Sequence, residues 1–194
     1  MTTRFGARCV AVEPNWRLHN DIADAGAIEI ICAAIGSNEG DANFNVSAKD
    51  DSSSLHTPFE VESAAETVRT VRLERLLDDL DVARIDMLKV DIEGMEVGAL
   101  SGLRADQLAR IQQCTVEFHD GPGYVSVDEI QRVTSRMREC GFRCLKMSVH
   151  DHSDVLYVRA DRCSALAWAE IRLYEAPLRQ ARRLGQRVVV RSAK

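Results

Sequence analysis

The stretch "IDMLKVDIEGMEVGALSGL", residues 85–103, decides how this chain is read. An apolar run ends in Asp91, Glu93 and Gly94 follow at once, and helical spacing takes over through Met95, Val97, Ala99 and Leu100. The pattern is that of a buried strand, a tight turn and a helix. A turn needs polar residues, but serine or asparagine would meet that need at lower electrostatic cost. Two carboxylates at the carboxyl end of a central strand point to something to hold or to deprotonate.

Strands and helices alternate outward from this unit. "ARCVAVEPN", residues 7–15, reads as a strand stopped by Pro14, with Asn15 set to cap a helix over residues 16–25 that Gly26 ends. "AIEIICAAIG", residues 27–36, reads as a second strand buried on both faces. A turn and a polar–apolar alternation occupy residues 37–48, and a polar loop broken by Pro58 spans 49–63. "TVRTVRLERLLDDL" gives a strand and then a helix. After residue 103 come the strand "CTVEFHD", a Gly-Pro-Gly turn at 121–123 and an amphipathic helix over 127–140 closed by Gly141. "FRCLKMSV" and "DVLYVRA" end the series, joined by the solvated turn "HDHS". The expected class is α/β, a mostly parallel sheet with an antiparallel finish.

Composition narrows the function. At 194 residues the chain is long enough for one domain with a real core. No apolar run reaches the ~18 residues of a membrane span. Residues after Cys163 carry seven Lys or Arg against two Glu, a local +5, so the net charge of −5 leaves −10 on the rest. An acidic body argues against nucleic acid as a partner. Six cysteines without a CxxC pair suit reduced thiols, a cytoplasmic protein and no zinc site.

Three strands end in chemistry: Glu13, then Asp91 with Glu93, then Glu117 with His119 and Asp120. Neighbouring strands would bring these groups to one edge. An acid in the position of Glu13 can accept hydrogen bonds from ribose hydroxyls, or can simply favour a helix start. Asp91 and Glu93, at i and i+2, share a side if strand geometry persists; the structural alternative is an N-cap on the helix that follows. His119 is a candidate base or hydrogen-bond partner. Asp91, Glu93, Glu117 and His119 could also surround a cation, but their spacing does not demand one, and no metal is expected.

These segments resemble a known family. "VAVEPN", "AAIGSNEGDANFNV", "VRLERLLDDL", "MLKVDIEGMEVGALSGL" and "TVEFHD" follow in order the pattern of the FkbM family of S-adenosylmethionine-dependent methyltransferases, over about residues 4–158. The resemblance implies a class I methyltransferase-like (Rossmann-like) sheet and methyl transfer to a hydroxyl oxygen of a natural product or saccharide. It implies cofactor contacts from Glu13, Asn15, Ala33, Ala34 and Asp91, with Asp91, Glu93 and His119 at the methyl-transfer site. The family's usual first strand and Gly-rich turn have no counterpart ahead of "RFGARCVAVEP". An N-terminally incomplete domain over 1–162 is therefore expected, a fragment that binds cofactor weakly or not at all alone. Residues 163–194 form a separate basic tail, in which Ala167, Ile171, Tyr174, Leu178 and Ala181 make a helical seam suited to packing on the domain or on a second copy, the alternative being a basic helix that docks on an anionic partner or membrane. Two other readings stand beside methyl transfer: an NAD(P)-dependent Rossmann oxidoreductase, which would also use Glu13, and a non-catalytic interaction module.

Overall fold

The computed structural model describes residues 6–47, 55, 63–119, 125–148, 154–171 and 173. Contacts divide the chain into two units, residues 1–80 and 81–194. The loop over 49–63, the Gly-Pro-Gly turn, Asp120, the 150–153 turn and the basic tail beyond 173 fall largely or wholly outside the described residues.

In the first unit, β1 (Cys9–Val12) ends at Pro14, and the Asn15 side chain accepts a hydrogen bond from the Arg17 N–H at 3.1 Å. The expected cap is thus in place. It opens a single 3-10 turn (Trp16–Leu18) leading into α1 (His19–Asp24), and Gly26 closes the helix at φ 147°. The single strand expected over 27–36 is two strands. β2 (Ile28–Ile31) pairs in parallel with β1, and β3 (Ala34–Ile35) pairs in parallel with a different strand. Between them the Ala33 N–H turns back to the Ile31 carbonyl at 3.0 Å. Burial on both faces holds for Ala33, Ala34 and Ile35 but not for β2, whose Glu29 is exposed and bonded to Arg8 at 2.8 Å. Among the described residues β2 is bonded only to β1, and its isoleucines are partly rather than fully buried.

The alternation after Gly36 becomes β4 (Gly40–Ser47), which forms an antiparallel ribbon with β5 (Ser63–Val71). Phe44 and Val46 lie buried while Asp41 and Asn43 face out, the period of two that suits a sheet wet on one side. Then α2 (Leu73–Asp79) buries Leu73, Leu76 and Leu77, one helical stripe.

The second unit holds a four-stranded sheet in the order β6-β7-β9-β8. Its strands are β6 (Leu88–Val90), β7 (Gln113–Glu117), β8 (Phe142–Lys146) and β9 (Asp154–Arg159). Its helices are α3 (Glu96–Gly102), α4 (Ala105–Arg110) and α5 (Val127–Glu139). β6 and β7 are parallel, while β9 runs antiparallel to both β7 and β8, the antiparallel finish the pattern predicts. Across both units the described pairings divide into three parallel and three antiparallel, over three sheets. The described residues therefore form a mixed α/β fold.

Leu100, Leu108, Val116, Ile130, Met137 and Tyr157 fill the core of this unit. The buried Tyr157 hydroxyl meets Thr134 Oγ1 at 2.8 Å. A capping box between Ser126 and Glu129 starts α5, and Gly141, at φ 89°, ends it. From α5, Arg136 donates to the carbonyls of Leu100, Ser101 and Leu103 at the end of α3, where carbonyls run out of intrahelical partners. Residues 165–171 are helical, and Trp168 packs on Leu145 and Val158 with the Arg143 guanidinium 4.4 Å from its ring centre. All six cysteines are free, and burial pushes the Cys114 thiol up to about 12. No described helix is long and apolar enough to cross a membrane.

Candidate active site

The site in the second unit grows from the register of two strands. β6 and β7 run parallel with Val90 opposite Val116, so the residues leaving both carboxyl ends enter the same edge. Asp91 follows Val90, Glu117 ends β7, and His119 lies two residues further on. One atom each from Asp91, Glu117 and His119 lies within 4.8 Å of the others. That spacing could admit a cation, yet His119 Nε2 already faces Glu93, and exposed acids often gather without an ion. The expected gathering of strand-end groups therefore holds for Asp91, Glu93, Glu117 and His119. Glu13 belongs to the first unit.

Strand geometry does not persist from Asp91 to Glu93. The strand stops at Val90, and Glu93 takes φ 51° with Gly94 at φ 99°. These two left-handed residues turn the chain sharply, so Glu93 is aimed by the turn and not by the pleat of a strand. Asp91 does not cap α3; its carboxylate pairs with Lys89 Nζ at 2.7 Å. The helix is entered through Met95, whose side chain makes no cap.

Glu96, the first residue of α3, holds the turn together. It is fully buried, and its Oε1 accepts from the Ile92 N–H at 3.2 Å, the Gly94 N–H at 3.0 Å and His119 Nδ1 at 2.8 Å. Burial works against the charge of this carboxylate, but those donors outweigh it and hold the group below the usual range. His119 Nε2 stands 3.2 Å from Glu93 Oε2, so the ring lies between two carboxylates. The hydrogen bond to Glu96, with the charges of Glu96, Glu93 and Asp91, raises His119 to about 9. The ring is an imidazolium at neutral pH. Desolvation raises Glu93 above the usual carboxylate range, against the pull of His119.

Glu96 was not among the residues the strand-end pattern singles out, although its signal is visible in the sequence. On α3 it shares a face with Ala99, Leu100 and Leu103, all buried, so it is a charge set in an apolar stripe. Lys89 was also missed; exposed and next to a strand end, it looks like ordinary surface.

In the first unit, Glu13 follows β1 with its N–H bonded to the Ile31 carbonyl at 3.0 Å. Its carboxylate accepts from the Asn15 N–H at 2.7 Å, and burial is the main cause raising it above the usual range. Asn15 is buried, and its Nδ2 has no hydrogen-bond partner among the described residues. Ala33 and Ala34, also buried, follow the adjacent β2. A half-buried acid beside an unused amide donor is a donor–acceptor set suited to a polar ligand.

A stretch of 103 residues, 53% of the chain, is 29% identical to the AMB antimetabolite synthetase AmbE of Pseudomonas aeruginosa, of which the match spans only 5%. No solved structure matches. Residues 4–144 match the family described as the Methyltransferase FkbM domain, and the chain belongs to that family.

Proposed function

We propose that this chain carries out S-adenosylmethionine-dependent transfer of a methyl group to a hydroxyl oxygen of a small natural product or saccharide. Membership of the FkbM family carries the reading, and the acids gathered at the ends of β6 and β7 support it. Residues 1–162 are read as one catalytic domain on an incomplete Rossmann-like sheet. The basic stretch 163–194 is read as its appendage, a helix suited to contact with a second copy. A cytoplasmic setting and no nucleic-acid partner complete the proposal.

Glu13 and Asn15 suit the ribose, with Ala33 and Ala34 toward the adenine. The buried, unused Asn15 Nδ2 and the desolvated Glu13 carboxylate fit a ligand rich in hydroxyls and acceptors. When bound, S-adenosylmethionine supplies an electrophilic methyl on a sulfonium centre. What remains for the protein is to orient the acceptor hydroxyl and take its proton. A hydroxyl oxygen gaining a carbon becomes cationic, and its proton then becomes acidic enough for a carboxylate to accept. His119 is ill suited to that task because it already carries its proton at neutral pH, with both ring nitrogens facing acids. Asp91 or Glu93 is the proton acceptor on this reading, and the raised Glu93 is the stronger base for its type.

Saturation-transfer NMR detects weak ligands and tests the cofactor directly. S-adenosylmethionine should give ribose and adenine signals that NAD(P)H does not. Transfer from the nicotinamide nucleotide instead would turn the reading to an oxidoreductase. In turnover assays Asp91→Asn or Glu93→Gln should cost about 100-fold to 10,000-fold with folding unchanged, the usual span of general-base catalysis. Near-normal turnover in both would remove the carboxylates from the chemistry.

A further inference from the structure

Glu96 has no accessible surface, and burying a carboxylate is costly unless donors compensate it. A residue needed only to fill this face of α3 would be apolar, as Ala99 and Leu100 are. Three donors converge instead on one oxygen, Oε1. The other oxygen is buried without a hydrogen-bond partner among the described residues, so compensation falls on Oε1.

Two of those donors are the N–H groups on either side of Glu93, the non-glycine residue held at φ 51°. Such a backbone persists only where its surroundings over-determine it. The third is His119 Nδ1, and a ring bonded there must present Nε2 outward, where it meets Glu93 at 3.2 Å. The backbone of Glu93 and the partner of its carboxylate are thus both set by one buried group. A buried acid that fixes an imidazole's orientation and proton is a known device for aiming the ring's other face.

We infer that Glu96 is a positioning residue: from beneath the site it locks the turn after β6 and the His119 ring, and through both it aims Glu93. Its effect on turnover rests on the methyl-transfer reading; its effect on the turn and the ring does not.

Two variants separate charge from hydrogen bonding. Glu96→Gln keeps an acceptor oxygen and the shape, and Glu96→Ala removes both. Nitrogen-15 NMR of the chain reads the His119 ring and the Ile92 and Gly94 amides without any substrate. Among the described residues, the charged groups facing His119 include Glu96 from α3, Glu93 and Asp91 from the turn, and Glu117 at the end of β7. Removing the Glu96 charge should lower the His119 midpoint by about one to three pH units. In Glu96→Ala the exchange protection of the two amides should also fall at least about tenfold, one broken hydrogen bond. With S-adenosylmethionine and an acceptor, kcat should fall by about 10- to 100-fold in both variants while the cofactor KM holds, the cost of slight misplacement.

An unchanged His119 midpoint in Glu96→Gln overturns the inference, even if Glu96→Ala fails to fold. So do altered NMR signals with kcat intact. If the unaltered chain methylates nothing, the methyl-transfer reading fails, and the NMR arm still decides whether Glu96 holds the turn and ring.

Discussion

The clamp on His119 makes the stability of the second unit depend on alkaline pH in a direction that can be worked out. A ring whose folded midpoint lies above its unfolded value near 6.5 favours the native state when protonated. Its contribution is therefore fully present below about pH 6.5, declines as the pH rises, and is gone above about 9. A rise of about 2.5 pH units corresponds to about 3.4 kcal/mol at about 1.36 kcal/mol per unit. The ring and the Glu93 side chain each keep over a fifth of their surface exposed, so water screens the pair, and about 1–2 kcal/mol is the realistic size. Urea unfolding of the wild type and of His119→Gln, at steps from pH 6 to pH 10, measures it. Subtracting one chain from the other cancels common titrations, such as the buried Cys114 thiol at about 12. Trp168 is buried in this unit and Trp16 is exposed, so a Trp16→Phe background makes fluorescence report on the unit alone. The wild type should be more stable by about 1–2 kcal/mol at pH 6, with the gap closed by pH 10. A gap that stays constant, or widens with pH, would refute the clamp.

Glu13→Ala should weaken S-adenosylmethionine binding about tenfold or more, since a hydrogen bond to a charged group contributes ~1.5–3 kcal/mol. Ligand titration by NMR measures this, and a change under about threefold, below ~1 kcal/mol, would end the ribose assignment. Gly141→Ala should cost about 1 kcal/mol of stability in thermal melts, because φ is 89° and a Cβ there would meet nothing nearer than Arg159 Cζ at 4.0 Å. A neutral result would contradict the left-handed end of α5.

Local rules were enough for much of the chain. Asn15 caps its turn, Gly26 and Gly141 end their helices, and α5 follows an amphipathic pattern, because each depends on residues within a few positions. The family was legible in residue order, with "KVDIEGMEVGALSGL" inside the matched residues 4–144. The gathering of Asp91, Glu117 and His119 was also legible, since strands in an α/β chain deliver their carboxyl ends to one edge. Other features depend on partners distant in sequence. The break at Cys32 exists because β2 pairs with β1 whereas β3 pairs with β5, and no local signal chooses between neighbours. The β4–β5 ribbon was visible as an alternation but not as an antiparallel pair. Glu96 and His119 are 23 residues apart, and only packing α3 beside β7 turns a helical acid and a strand-end histidine into a buried charged hydrogen bond. Sequence named the carboxylates; tertiary structure decided which are buried, which way the turn aims them, and that the histidine between them is a cation. Desolvation and the distance between charges set those properties, and neither exists until the chain has folded.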